Sequence, residues 1–165
     1  MDTKKIIEVK SLIQNKVAKF TEETPLFDWH SMFLSGGVFV SLFHNEVPKD
    51  WDFYFLNEDS MTKTIKMIEN FYAKNSTFES HYVNANAATL PNKSSFISLL
   101  YGTPEEVKKT FDYVHCCPHY SVNENKLYIS EMQYDAIVNK KLIINNHETV
   151  TEKRRLKFID RGFKE

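Results

Sequence analysis

The chain has 165 residues, of which 42% are apolar and 26% charged. This length suits one compact domain, and the composition excludes a largely disordered protein. The net charge of −1 excludes an overall basic field for nucleic acid or anionic membranes, and no apolar run approaches the roughly 20 residues that span a bilayer.

The sequence predicts a cytoplasmic protein. Its N-terminus, MDTKKIIEVK, lacks the hydrophobic core of a signal peptide. The two cysteines, Cys116 and Cys117, are adjacent and cannot link distant segments, which fits a reducing compartment.

Apolar residues recur at helical or alternating spacing along the whole chain. In the first half of the chain they predict a helix over 4–20 within an N-terminal segment 1–24, a strand from Ser31 to Leu34, a helix from Val38 to His44, a strand over 50–56, and a helix over 61–74 capped by Asp59 or Ser60. Three strands are predicted next, from Phe78 to Val83, Ala87 to Leu90 and Ser95 to Tyr101, followed by a short helix after Thr103 and a strand over 111–115. The remaining elements are a small strand, a helix over 130–139, and a last helix over 150–162 within a basic segment 146–165. This order predicts a single α/β (α+β) domain over residues 1–165, with a central sheet covered by helices.

Three aspartates are the candidate catalytic residues. Asp50 and Asp52 lie two apart on a predicted strand, so their carboxylates share one face. Trp51, between them, is expected to point the opposite way, into packing. Asp112 sits within an apolar segment, where an acid is costly unless something compensates it. If the strand with Asp112 neighbours the first, three carboxylates converge, and Mg²⁺ relieves their mutual repulsion. The alternative for Asp112 is a buried acid that is satisfied by hydrogen bonds.

Two neighbouring glycines predict a phosphate site. Gly36 and Gly37 end a strand and lead into a helix, a turn that offers backbone N–H groups to a phosphate. Ser35 adds a hydroxyl donor.

In the basic tail, Arg154, Lys157 and Arg161 lie on one side of the last helix. They are candidates for holding a triphosphate or an RNA backbone, and a plain solvated basic face is the alternative.

The chain resembles the nucleotidyltransferase superfamily in the run FLSGGVFVSLFHNEVPKDWDFYF, which gives an apolar strand, Gly-Gly, a short helix and Asp-x-Asp on the next strand. Its segment FDYVH, with Asp112, resembles the superfamily's later strand with a third acid. The chain is also similar to small nucleotidyltransferase-like proteins of tailed phages and prophages in NANAATL, SFISLLYGTPEEVKKTFDYVHC and EKRRLKFIDRGF. The resemblance covers residues from about 30 to 165.

The resemblance implies a nucleotidyltransferase (polymerase beta-like) fold, with a mixed central β-sheet flanked by helices. It implies an enzyme that transfers an NMP from an NTP, such as ATP, to a hydroxyl with the help of two Mg²⁺ or Mn²⁺ ions. For such an enzyme the expected catalytic and metal-binding residues are Asp50, Asp52 and Asp112, and the expected nucleotide-binding residues are Ser35, Gly36, Gly37, Arg154 and Lys157.

The sequence leaves the acceptor and the oligomeric state open. The acceptor candidates are a tRNA end, a protein hydroxyl and a small molecule, and the location is the host cytoplasm if a phage encodes the chain. One alternative is a catalytically inactive nucleotide-binding or protein-interaction module of the same fold. Another is a nucleic-acid-binding protein that uses the basic C-terminal helix, against which the net charge of −1 argues.

Overall fold

A computed structural model of the chain describes residues 1–74, 82–83 and 86–165. The helices are α1 (Thr3–Glu23), α2 (Val38–Phe43), α3 (Glu58–Lys74), α4 (Pro104–Lys108), α5 (Glu131–Val138) and α6 (Glu152–Asp160), with short 3₁₀ helices at Trp29–Ser31, Val114–Cys116 and His147–Thr149. The strands are β1 (Met32–Ser35), β2 (Trp51–Phe55), β3 (Tyr82–Val83), β4 (Ala87–Thr89), β5 (Ser94–Tyr101), β6 (His119–Ser121) and β7 (Lys126–Tyr128). Apart from β3, the predicted strand from Phe78 to Val83 lies outside the described residues.

The described strands form one mixed sheet in the order β3-β4-β5-β2-β1-β6-β7. Strands β2 and β5 run parallel, and the other neighbouring pairs are antiparallel. Because Leu34 in β1 lies opposite Phe53 in β2, the chain leaves β1 beside the start of β2. The predicted mixed sheet flanked by helices is therefore confirmed.

Helix α1 covers one face of the sheet with an apolar stripe. Its buried residues recur every three or four positions, which confirms the predicted amphipathic helix; they are Val9, Ile13, Val17 and Phe20. Phe20 meets Trp51 edge to face at 6.0 Å between ring centroids. Trp51 thus points into the core, as predicted, and turns Asp50 and Asp52 toward the opposite face of the sheet.

That opposite face carries a smaller apolar cluster. Phe33 and Tyr54 stack at 5.6 Å and pack with Val107 of α4. Helix α4 begins with the predicted capping box, in which Thr103 and Glu106 exchange side-chain to backbone hydrogen bonds. The cluster is small, so much of this face remains open for a site.

Some details of the predicted elements are wrong, and strand β6 was not predicted at all. Residues 111–115 do not form a strand: Tyr113 makes an isolated bridge to Ile144, and the next residues turn into a 3₁₀ helix. Both edges of β2 are already paired, with β1 and β5, so this segment cannot lie beside the strand that carries Asp52. Helix α3 starts at Glu58, three residues earlier than predicted. The residue that caps it is Asn57, whose side chain accepts a hydrogen bond from the Ser60 N–H, and not Asp59 or Ser60.

Within the described ranges, none of the helices combines the length and the apolar character that crossing a bilayer requires.

A matched pair of isoleucines on α1 tests the packing of this helix. Ile13 is 0% exposed and Ile7 is 60% exposed. We expect Ile13→Ala to lower the free energy of unfolding by about 2–5 kcal/mol, because it leaves a cavity under the sheet. We expect Ile7→Ala to change it by about 0.5 kcal/mol or less. Urea denaturation of both variants measures the difference, and equal losses would contradict the assignment of the buried face.

Candidate active site

A charged cleft opens on the face of the sheet opposite α1. It lies between the turn after β1, the start of β2 and helix α6, with a volume of about 130 Å³. Its polar and charged lining residues are Ser41, Lys49, Asp50, Asp52, Arg154, Lys157 and Arg161. The cleft therefore unites segments more than a hundred residues apart in sequence.

The acid pair forms one wall of this cleft. Asp50 directly precedes β2 and Asp52 lies on it, both half-buried. Burial first, and then the neighbouring Asp50 carboxylate, raise the pKa of Asp52 to about 6, although Lys157 and Arg154 oppose this effect. The pair is thus a concentration of negative charge that Lys157 and Arg154 offset only in part.

The glycine turn lies against this acid pair. Gly36 has a backbone φ of +90°, a conformation that residues other than glycine rarely adopt. A Cβ at Gly36 would lie 3.6 Å from Oδ2 of Asp52, whereas one at Gly37 would meet no atom within 4 Å. The N–H of Gly36 donates to the carbonyl of Cys116 at 3.1 Å. Of the two glycines, Gly37 therefore borders the open cleft and Gly36 fixes the turn.

Ser35 is placed differently from the predicted phosphate contact. It is buried, and its hydroxyl donates to the carbonyl of Pro118 at 2.7 Å, with a longer contact of 3.3 Å to that of Cys116. It does not line the cleft. Its side chain ties the end of β1 to the segment before β6, so it supports the turn from below.

The opposite wall of the cleft is basic. Arg154, Lys157 and Arg161 all line it, which confirms the predicted shared side of the last helix. Burial first, and then repulsion from Arg154, lower the pKa of Lys157. Lys49 is a fourth cation, which sequence reasoning missed. Its position directly before Asp50 was the signal that could have found it.

Asp112 does not join the other two aspartates. Its carboxylate accepts from Arg154 at 2.8 Å (Nε) and 3.2 Å (Nη2), and Oδ1 also accepts from the backbone N–H of Tyr113 at 2.9 Å. The Arg154 guanidinium also lies 5.0 Å from the ring centroid of Phe158. In the described part of the chain, no three His, Cys, Asp or Glu side chains are grouped to hold a metal ion. The predicted convergence of three carboxylates is thus corrected: an arginine, rather than a metal ion, compensates the buried Asp112.

The sheet and the helices around it have a nucleotidyltransferase-like fold. The structure is similar to that of a "tRNA-processing enzyme (apo form 2)", with a TM-score of 0.54 and 14% identity over 79% of this chain and 39% of that one. It is also similar to the Thermotoga maritima CCA-adding enzyme complexed with tRNA, with a TM-score of 0.53 and 14% identity over 99% of this chain and 40% of that one. A third similar structure is that of a tRNA-processing enzyme with CTP, with a TM-score of 0.54 and 14% identity over 87% of this chain and 40% of that one. This chain therefore spans about two fifths of the length of these structures.

By sequence, residues 8–140 match the family described as "Gabija anti-defense 2 family protein". The chain belongs to the Gabija anti-defense 2 family. No curated protein matches it in sequence.

The raised pKa of Asp52 predicts a pH-dependent stability. Because its carboxyl binds a proton more tightly in the folded protein than in the unfolded chain, the folded protein loses stability as pH rises from about 4 to about 6, and stays less stable above that. We expect Asp52→Asn to match the native protein near pH 4 and, without divalent cations, to be up to about 3 kcal/mol more stable above pH 7.

Urea denaturation at both pH values measures this difference. Asp160→Asn, at an exposed position on α6, controls for the loss of one negative charge. A stability difference for Asp52→Asn that is the same at both pH values would show that burial does not oppose the charge on Asp52.

Proposed function

We propose that this protein is a metal-dependent nucleotidyltransferase that moves an NMP from an NTP to a hydroxyl group. The observation that supports this most is the cleft itself, in which the carboxylates of Asp50 and Asp52 face four cationic side chains beside the glycine turn. Such a site suits a ligand that is polyanionic and brings a divalent cation with it.

The acid pair fits a divalent cation. In the described part of the chain neither Asp50 nor Asp52 has an ion-pair partner, and burial disfavours the charge on Asp52. Mg²⁺ is commonly bound by one or two carboxylates together with substrate phosphates, so two aspartates suffice. When bound, Mg²⁺ or Mn²⁺ would neutralise the phosphates and favour attack by the acceptor oxygen, with a second ion accommodated through the substrate.

The basic wall would hold the triphosphate. Arg154 and Lys157 project from α6, Arg161 follows it, and Lys49 approaches from the segment before β2. Arginine and lysine bind phosphate oxygens through charge-assisted hydrogen bonds. The open backbone at Gly37 adds room for a phosphate to approach the chain closely.

These contacts would orient the NTP for an in-line displacement. The acceptor oxygen forms a bond to the α-phosphorus, and the bond from that phosphorus to the bridging oxygen breaks. Pyrophosphate leaves toward the basic wall, and the hydroxyl proton passes to water. The chain's own contribution is to hold the phosphates so that the acceptor oxygen, the α-phosphorus and the leaving oxygen lie in line.

Asp112 has a supporting role in this proposal. Both of its oxygens accept hydrogen bonds, from Arg154 and from the Tyr113 N–H, and it does not line the charged cleft, so we assign it no role as a third ligand or as a base. Arg154 is 41% exposed and Asp112 only 7%. The buried carboxylate thus holds the arginine at its inner end while the outer part of the guanidinium borders the cleft.

We further propose that this transfer counteracts a defence. The name of the family, Gabija anti-defense 2, describes such an action. The acceptor would then be RNA, protein or a small molecule on which the defence depends. An inactive module that acts by binding alone is the alternative, and the unpaired Asp50–Asp52 face favours the enzyme.

Transfer is tested with radiolabelled NTPs, Mg²⁺ or Mn²⁺ and a cell extract. We expect label in the α-phosphate, but not in the γ-phosphate, to reach an acceptor, because the NMP moves and pyrophosphate leaves. Digestion of the product with RNase or protease identifies the acceptor class. We expect Asp50→Asn/Asp52→Asn to lower the rate at least about 100-fold and Asp160→Asn to leave it unchanged. Equal labelling by both variants would rule out this active site.

The anti-defence role is tested in cells that carry the Gabija defence. We expect the native chain to remove the protection, and Asp50→Asn/Asp52→Asn, at equal protein level, to leave it intact. Asp160→Asn serves as the expression-matched control. If the doubly substituted chain removes protection as well as the native one, the protein acts by binding rather than by nucleotidyl transfer.

A further inference from the structure

A second cavity lies beside the charged cleft on the same face of the sheet. Its volume is about 320 Å³, at the lower end of the roughly 300–1,000 Å³ typical of small-molecule sites. Arg154 lines both cavities. Tyr54 of β2 lines the second and lies two residues after Asp52, so the two side chains share a face. The two cavities are therefore neighbours with a common wall.

The second cavity differs sharply from the first in chemistry. Its walls are largely apolar, from Tyr54, Ile97, Leu99, Leu100 and Phe111. The rings of Tyr54 and Phe111 lie 5.5 Å apart, and Leu99 is 64% exposed at the mouth. Such a surface suits a flat, uncharged ring system.

The charges at this second cavity cancel each other. The two ionisable lining residues that carry charge at neutral pH are Asp112 and Arg154, which pair with each other. Two hydroxyls complete the rim: Thr110 donates to the carbonyl of Val107 at 2.7 Å, and Thr149 to that of Asn146 at 3.2 Å. Both keep acceptor lone pairs for a ligand that carries donors.

We infer that this apolar cavity binds the nucleoside part of the NTP whose triphosphate occupies the charged cleft. The inference rests on the proposed function and adds to it the place of the base and sugar. A nucleotide has a polyanionic end and a flat, uncharged end with amino and hydroxyl donors, and the two cavities match these ends across Arg154.

The acceptor fits this cavity less well. An RNA acceptor carries a run of phosphates that needs several cations, and Arg154, the single cation among the described lining residues, would already be shared between Asp112 and the triphosphate. The guanidinium of the pair also lies over the ring of Phe158, 5.0 Å from its centroid. A fixed, internally neutral wall suits a small ligand that spans both cavities.

Calorimetric titration of the full chain with Mg²⁺ and either inorganic tripolyphosphate or each of the four NTPs tests this. We expect at least one NTP to bind about tenfold more tightly than tripolyphosphate. We expect Leu99→Asn to weaken that NTP about fivefold, and Thr149→Phe, which fills the cavity, to reduce it to the affinity of tripolyphosphate, with tripolyphosphate itself unaffected. Leu26→Asn, at a position 83% exposed in a distant groove, is the matched control. Thermal melts establish that every variant folds.

The outcomes separate this inference from the proposed function. If NTPs bind no more tightly than tripolyphosphate, or if folded Leu99→Asn and Thr149→Phe bind NTPs normally, the nucleoside lies elsewhere and the inference fails while the charged cleft stands. If these variants bind NTPs normally but slow the transfer of label in the cell extract, the cavity belongs to the acceptor, which also overturns the inference. If neither tripolyphosphate nor any NTP binds, the proposed function itself fails.

Discussion

The antiparallel pairing of β1 with β2 fixes the distance between the glycine turn and the acid pair. Leu34 opposite Phe53 places Gly36 beside Asp52, where even a Cβ would approach the carboxylate to 3.6 Å. Any slip of one residue in this register would turn Asp52 into the core and Phe53 out of it. The aromatic packing under the sheet therefore protects the geometry of the site above it.

Each charged group of the site interacts with at least one other charged group. Asp50 and Asp52 repel each other and are opposed by cations across the cleft, while Asp112 is neutralised by Arg154 at close range. This arrangement leaves one acid pair short of a partner and one arginine firmly anchored. A ligand with both phosphates and a divalent cation would satisfy the acid pair and the basic wall together.

The chain shares its fold with longer structures. It spans about two fifths of the length of the CCA-adding and tRNA-processing structures it resembles. Fold alone does not determine function, so the case for transfer rests on the acid pair, the basic wall and the adjoining apolar cavity.

The sequence by itself determined most of the helices and strands and the residues of the acid pair. Local patterns sufficed for α1, the glycine turn and the shared face of Asp50 and Asp52, because helix and strand periodicity depend on near neighbours. Only the tertiary structure decided the partner of Asp112. Whether a buried carboxylate meets a metal ion or an arginine depends on which segment packs against it, and here α6, 42 residues further along the chain, brings Arg154. The spacing of residues along the chain does not predict such a contact, since the two side chains come together only when the protein packs into its folded state.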